Sequence, residues 1–148
     1  MEYSELAKEL IQYQFKLSKA PKDINLTDQS RGEMSVIAYL MEVEDGVAPS
    51  SLAKFAGVST ARMASVLNSL EKKGYITRSL NSKDRRKIIV HITDEGKVIG
   101  IKGRKKAIKR LSRLLSDLGE HDAKEHVRIM KKIYLLSLKH REEEENDA

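Results

Sequence analysis

The chain contains no cysteine and no tryptophan, and only two of its 148 residues are proline. The absence of cysteine excludes disulfide bonds, thiol redox sensing and metal sites built from thiolates. Aromatic residues are also scarce, with five tyrosines and two phenylalanines. A chain of this length that is poor in aromatics but rich in leucine, isoleucine, lysine and glutamate is typical of one mostly helical domain.

Long apolar runs are missing as well. The longest, Val36 to Met41, is far too short to cross a membrane, which requires about 20 apolar residues. Residues 1–5 are polar and acidic and are followed by no apolar stretch, so they do not resemble a signal peptide. We therefore expect a cytoplasmic protein that makes no contact with membranes.

The common motifs of catalysis are absent too. The sequence has neither a glycine-rich phosphate loop nor an H-E-x-x-H or G-x-S-x-G motif. The four histidines are scattered, and the closest pair, His121 and His126, does not have the i, i+4 spacing that aligns two metal ligands on a helix. We expect neither an enzyme nor a metal or organic cofactor.

Positive charge is concentrated in the middle of the chain. Residues 50–92 contain nine basic and two acidic side chains, and residues 97–113 contain eight basic and no acidic ones. Residues 1–49 and 114–148 are net acidic. A basic surface of this kind suits the phosphate backbone of a nucleic acid. The basic run 102–106 has two interpretations, an extension of a phosphate-binding surface or the solvated side of a long helix.

Residues 58–74 have the pattern of a short amphipathic helix. Apolar side chains recur at steps of three and four: Met63, Val66, Leu67 and Leu70. The opposite face is small and polar: Thr60, Arg62, Ser65, Asn68 and Lys72. Ser59 can cap the start of this helix and Gly74 can end it. Such a helix fits the major groove of DNA, whose base edges offer hydrogen-bond donors and acceptors.

A shorter helix is predicted just before it, from Leu52 to Ala56, capped by Ser50 or Ser51 and ended by Gly57. The two helices together form a helix-turn-helix, in which the second helix enters the groove.

Another helix is predicted upstream, over 27–44, where Ser30 and Glu33 have the spacing of a capping box. Its apolar side comprises Met34, Ile37, Ala38, Leu40 and Met41.

Two segments rich in β-branched residues, 75–80 and 87–92, follow the amphipathic helix. The polar turn 81–86 lies between them, so we predict a hairpin with a basic tip. Residues 47–49 can add a short edge strand, because proline is tolerated at an edge.

The two ends of the chain are predicted to be helical. Thr93 can cap a helix that closes at Gly119, with a bend near Gly100 and Gly103, and a last helix covers 121–141 before a frayed tail. At the other end, apolar residues fall at heptad spacing: Tyr3, Leu6, Leu10, Tyr13 and Leu17. That first helix packs either inside one chain or between two subunits.

Several of these elements resemble the multiple antibiotic resistance regulator (MarR) family of transcription regulators. The matching segments are S-L-A at 51–53, G-V-S at 57–59, L-E-K-K-G-Y-I-T-R at 70–78, D-R-R at 84–86 and I-T-D-E-G at 92–96. The resemblance implies a mainly α fold: a winged helix-turn-helix with a small antiparallel β wing and a helical dimerisation layer. It assigns the DNA-binding lobe to 28–96 and the dimerisation layer to 1–20 and 97–145.

The expected DNA contacts divide into three groups. On the amphipathic helix, four residues are predicted to contact bases in the major groove: Thr60, Arg62, Ser65 and Asn68. Five are predicted to contact phosphates: Ser59, Lys72, Lys73, Arg78 and Lys87. The resemblance implies that Arg85 and Arg86 enter the minor groove and that Asp84 orients Arg86. Taken by itself, a basic hairpin tip is more often a solvated loop that aids solubility.

The resemblance also implies partners. A homodimer is expected, with an interface that includes Leu6, Leu10, Tyr13, Leu17, Leu115, Met130, Ile133 and Tyr134. Such a dimer is expected to act on double-stranded DNA as a repressor, with a small-molecule effector as an optional partner. Two alternatives stay open: a winged-helix module that binds other proteins, and a DNA-binding protein without sequence preference.

Overall fold

The computed structural model describes residues 2–17 and 29–148, with the backbone alone for 29–31. These residues form six helices and one two-stranded antiparallel sheet, which confirms the predicted fold class. The elements are α1 (Tyr3–Leu17), α2 (Gln29–Met41), α3 (Pro49–Ala56), α4 (Thr60–Lys72), β1 (Ile76–Leu80), β2 (Ile88–Ile92), α5 (Asp94–Leu118) and α6 (Glu120–Asp147).

The chain divides into two compact units, with the boundary inside α5 between Arg104 and Lys105. The reading unit contains α2, α3, α4, both strands and the first part of α5. The helical unit contains α1, the rest of α5 and α6.

The core of the reading unit is formed by the apolar faces that the spacing of the sequence predicts. Met63, Val66, Leu67 and Leu70 of α4 are each at most 3% exposed. They pack with residues of α2, α3 and both strands, including Ile37, Leu52, Ile76 and Val90. Each fully buried side chain of this kind contributes about 1.5–3 kcal/mol, so this core holds the polar face of α4 outward.

The start of α3 differs from the prediction. The helix begins at Pro49 instead of Leu52, and Ala48 is its N-cap residue, without a side-chain hydrogen bond. Proline suits the first turn of a helix because its missing N–H has no partner there in any case. The predicted edge strand is reduced to one bridge, in which Val47 and Val90 exchange backbone hydrogen bonds of 3.0 and 2.8 Å. Gly57 ends the helix in the left-handed conformation, as predicted.

The predicted capping box of α2 is wrong. The Glu33 side chain is bound to α4, as described below, and Ser30 lies within the helix instead of before it. The helix spans Gln29–Met41 instead of 27–44, and Thr27 lies outside the described residues. Ala38 is exposed and therefore does not belong to the apolar side of the helix.

The sheet and the start of α5 agree with the predicted hairpin and cap. Ile76 pairs with Ile92 and Leu80 with Ile88 in antiparallel register. The Thr93 hydroxyl accepts from the backbone N–H of Gly96 at 3.0 Å and donates to the carbonyl of Gly74 at 2.6 Å.

The two long helices differ from the prediction. α5 is one continuous helix with no break at Gly100 or Gly103, because these glycines make room for α2 side chains: Met41 and Ile37 lie against Gly100, and Met34 against Gly103. α6 runs from Glu120 to Asp147, so the tail expected to fray is helical.

Two residues of the predicted dimer interface lie in the core of the helical unit. Leu10 and Leu115 are only 1% exposed and pack with Ala7, Ala123 and Val127 of the same chain. Their apolar surface is therefore already covered within the chain. The Tyr13 and Tyr134 rings also contact each other within the chain, with centroids 5.8 Å apart and planes tilted by 45°.

Candidate nucleic-acid interface

The four side chains predicted to contact bases are exposed on α4: Thr60, Arg62, Ser65 and Asn68. Ser59 is the N-cap, and its hydroxyl oxygen accepts from the backbone N–H of Arg62 at 3.1 Å. This bond satisfies one of the free donors at the start of the helix and fixes where it begins. The first turn of α4 therefore presents a defined row of polar groups to solvent.

A buried carboxylate joins α4 to α2. Glu33, 6% exposed, accepts from the Ser69 hydroxyl at 2.5 Å and from Lys73 Nζ at 2.7 Å. A buried charge is stable only when it is paired and hydrogen-bonded, and both conditions are met here. The contact determines the position of the C-terminal half of α4 and occupies the ammonium group of Lys73, one of the predicted phosphate contacts.

A second polar contact joins α4 to strand β1. Arg78 donates from Nε and Nη2 to the Glu71 carboxylate at 3.1 Å each, and from Nη2 to Asn68 Oδ1 at 2.6 Å. The hydrogen bonds from Arg78 lower the pKa of the Glu71 carboxyl and raise the pKa of the guanidinium, so both groups are charged at neutral pH. Asn68, a predicted base contact, and Arg78, a predicted phosphate contact, thus form one cluster.

The hairpin formed by β1, the turn 81–87 and β2 is the wing, and its tip carries two exposed arginines. The Arg86 side chain is 94% exposed, and its Nε lies 3.5 Å from Asp84 Oδ1. The same carboxylate oxygen accepts from the backbone N–H of Arg86 at 3.1 Å. Asp84 therefore orders the turn and lies beside the Arg86 side chain. Arg85 is exposed as well.

The remaining predicted phosphate contacts, Lys72 and Lys87, are exposed. In the wing, the amide oxygen of Asn81 accepts from the backbone N–H of Lys83 at 2.9 Å, and the Asn81 N–H donates to the Lys87 carbonyl at 2.8 Å. These bonds hold the base of the turn.

Three residues of the site were not found from the sequence: Glu33, Ser69 and Glu71. Glu33 lies 36 and 40 residues before its partners, and no local pattern connects residues so far apart. Glu71 and Arg78 are opposite charges seven residues apart on either side of a glycine turn, which is a signal that the sequence does contain.

Among residues 2–17 and 29–148, no group of three or more histidine or acidic side chains is placed to hold a metal ion. No helix in that part of the chain combines the length and the apolar character that a membrane span requires.

Solved structures with the same fold include regulators from bacteria and archaea. The MarR transcriptional regulator from Methanosarcina mazei is 24% identical, with a TM-score of 0.59 over 89% of this chain and 93% of that one. FabT of Streptococcus pneumoniae, in complex with DNA, is 24% identical, with a TM-score of 0.60 over 80% and 78%. The resemblance to the MarR family is confirmed at the level of the fold.

Sequence comparisons agree with this fold. The HTH-type transcriptional repressor YetL of Bacillus subtilis is 32% identical over 69 residues, which are 46% of this chain and 41% of YetL. The chain spans between 36% and 57% of the length of four curated relatives. The winged helix DNA-binding domain family matches residues 33–112, which include α3, α4 and the wing. This chain therefore belongs to the family of winged helix DNA-binding domains and has the fold of the MarR regulators.

Proposed function

We propose that this protein is a non-enzymatic, cytoplasmic transcription regulator that binds double-stranded DNA as a homodimer. The observation that carries the proposal is the exposed polar face of α4, which a core on one side and polar contacts on the other hold in place. The exposed arginines at the wing tip give the same unit a second, cationic contact. In a helix-turn-helix, a helix in the position of α4 contacts bases in the major groove. A wing of this kind suits the minor groove.

Exposed apolar residues of the helical unit support a dimer. Large side chains that are 44–58% exposed fall at helical spacing on α5 and α6: Leu114, Leu118, Ile129, Ile133 and Leu136. Residues four or seven positions apart share one face of a helix, so these side chains form apolar stripes instead of scattered contacts. Contiguous exposed apolar surface of this kind marks an interaction site. We propose that these stripes meet in the dimer. Of the interface residues predicted from the sequence, Ile133 belongs to a stripe, whereas Leu10 and Leu115 are buried within the chain.

Two-fold symmetry of the dimer implies the form of the operator. Two copies of α4 would meet two half-sites about one helical turn of DNA apart, so the site would be pseudo-palindromic. The name of YetL supports repression as the mode of action. A small-molecule effector is an optional further partner, and to act it must bind two arrangements of the dimer unequally.

Selection of duplexes from a random pool tests this function. The full chain should enrich one pseudo-palindromic site and bind a random duplex of the same length about a thousandfold more weakly. If the dimer neutralises about six to ten phosphates, affinity should fall by about a thousandfold between roughly 50 and 200 mM salt. Equal affinity for all duplexes would favour the nonspecific DNA binder, and no binding to any duplex would favour the protein-interaction module.

The dimer itself is tested by Ile133→Asp. A carboxylate in an apolar interface lacks a partner and is costly to bury, so sedimentation equilibrium should show a monomer in place of a dimer. Affinity for the selected palindrome should fall by about a hundredfold or more, because the two half-sites are no longer linked.

The matched control for this variant is Lys131→Asp, which places the same carboxylate at an exposed position on the other side of α6. It should stay dimeric. A dimeric Ile133→Asp protein with full affinity would contradict the proposed interface.

A further inference from the structure

The contact between Arg78 and Asn68 fixes the orientation of an amide group on the exposed face of α4. Arg78 Nη2 lies 2.6 Å from the Asn68 side-chain atom Oδ1. A guanidinium has only donors, so the amide atom that faces it must be the oxygen. The usual ambiguity between the oxygen and nitrogen atoms of an asparagine side chain therefore does not arise here.

In this orientation, the two N–H donors of the Asn68 side-chain amide point away from Arg78 and are available to a partner. Its NH2 group has no hydrogen-bond partner within the described part of the chain, and the residue is exposed. The cation beside Oδ1 polarises the amide, which strengthens its N–H donors. A second donor that approached the same oxygen would meet the positive charge of Arg78, so Asn68 is a poor acceptor.

Arg78 is itself held in place from a second direction. Its Nε and Nη2 both bind the Glu71 carboxylate, in a two-bond arrangement that adds geometric specificity to the attraction of the charges. Glu71 and Asn68 are neighbours on α4, separated by three positions, so one guanidinium from β1 connects the wing to the face of α4. Moving Arg78 would break three hydrogen bonds.

We infer, on the basis of the proposed function, that Asn68 determines specificity as a hydrogen-bond donor and that Arg78 is the positioning residue that makes it one. Asparagine commonly pairs with adenine, donating to N7 and accepting from the N6 amino group. An asparagine whose oxygen already binds a guanidinium is a poor acceptor and completes that pair only weakly. Guanine presents the acceptors N7 and O6 side by side, and thymine presents O4, so Asn68 should favour guanine first and thymine second.

The first experiment locates the base that Asn68 contacts. Site selection with the wild-type chain and with Asn68→Ala should differ at one position of each half-site, where the variant loses a preference for guanine or thymine. Where guanine is selected, 7-deazaguanine at that position should lower the affinity of the wild-type chain about tenfold. The affinity of Asn68→Ala should not change. A tenfold loss corresponds to about 1.4 kcal/mol.

The second experiment changes the hydrogen-bonding character of the position. In Asn68→Asp one oxygen can still meet Arg78 and the other is an acceptor, so the preference should move to cytosine or adenine, which present amino groups. In Arg78→Ala the Asn68 oxygen is released, and the preference should move to adenine by about tenfold. The double variant with both Arg78→Ala and Asn68→Ala should lose that new preference for adenine. This result would distinguish a positioning role of Arg78 from a general loss of structure.

The outcomes separate this inference from the proposed function. If the wild-type chain selects no site, the proposed function fails and the inference fails with it. If it selects a site but Asn68→Ala relaxes no position, or if the contacted base is an adenine that requires both N6 and N7, the inference alone is overturned. Thermal melting monitors the folding of each variant, and the 7-deaza substitution on wild-type protein requires no Arg78 variant at all.

Discussion

Replacing Arg85 and Arg86 together with alanine is expected to lower affinity for the selected site about a hundredfold. Both side chains are exposed at the wing tip, and neither belongs to the core formed by the described residues, so the fold should be unaffected. A loss of about 1.4 kcal/mol at each wing is tenfold, and a dimer has two wings. Gel-shift titration of wild type and variant on one duplex measures the change.

The salt dependence of binding distinguishes a wing in the DNA from a general charge effect. Lys105→Ala with Lys106→Ala is the matched control, because it removes the same two charges from exposed positions of α5. We expect the wing variant to have a shallower salt slope and the control to bind within about threefold of wild type. Equal losses in the two variants would mean that net charge, and not the wing, determines affinity.

Replacing Gly96 with alanine is expected to destabilise the reading unit by about 3 kcal/mol. A Cβ at this position would collide with the backbone carbonyl oxygen of Tyr75, which also accepts the backbone N–H of Thr93 at 3.0 Å. Overpacking costs about 1–3 kcal/mol, and we expect the upper end because the colliding atom belongs to the backbone. The weakened hydrogen bond costs about 1 kcal/mol more, and the gain in helix propensity of about 1 kcal/mol offsets it. Thermal unfolding at fixed protein concentration should show a fall of about 9 °C in Tm.

Gly103→Ala in the same helix is the control for this variant. Of the residues that the structure describes, a Cβ there would meet only Met34, whose Cε would lie 2.5 Å away. This atom is the far end of a flexible side chain that can move aside. The gain in helix propensity is the same, so the net change should be within about 1 kcal/mol of zero. If both variants lost the same stability, the close approach of Tyr75 to Gly96 would not be the cause.

Local elements of this protein were predictable because they depend on neighbours in the sequence. The burial of Met63, Val66, Leu67 and Leu70 follows from spacing alone, since a helix places residues three and four apart on one side. The caps of α4 and α5 follow from hydroxyl side chains at the right offset. One error arose where a distant partner competed: Glu33 binds Ser69 and Lys73 instead of capping its own helix.

The predicted DNA contacts stay predictions, and the contacts that these residues make within the fold could not be predicted from the sequence. Thr60, Arg62, Ser65 and Asn68 are exposed on α4 as expected, and Arg85 and Arg86 are exposed at the wing tip. The sequence does not state that Arg78 holds the oxygen of Asn68, or that Lys73 is already paired. Such contacts depend on the crossing of α4 with α2 and β1, which no periodicity contains.

By itself, the sequence determined which elements form and which of their faces are apolar, because hydrogen bonding along a helix or hairpin and the burial of apolar side chains obey short periods. It determined in the same way that the middle of the chain is basic and that a basic turn lies between two strands. Only the tertiary structure decided which polar groups are left for a partner. A hydrogen-bond donor or acceptor is available to a partner only if no other group in the fold already binds it. The groups that bind polar side chains at α4 are Glu33, which is distant in the chain, and Arg78, which lies beyond the next turn.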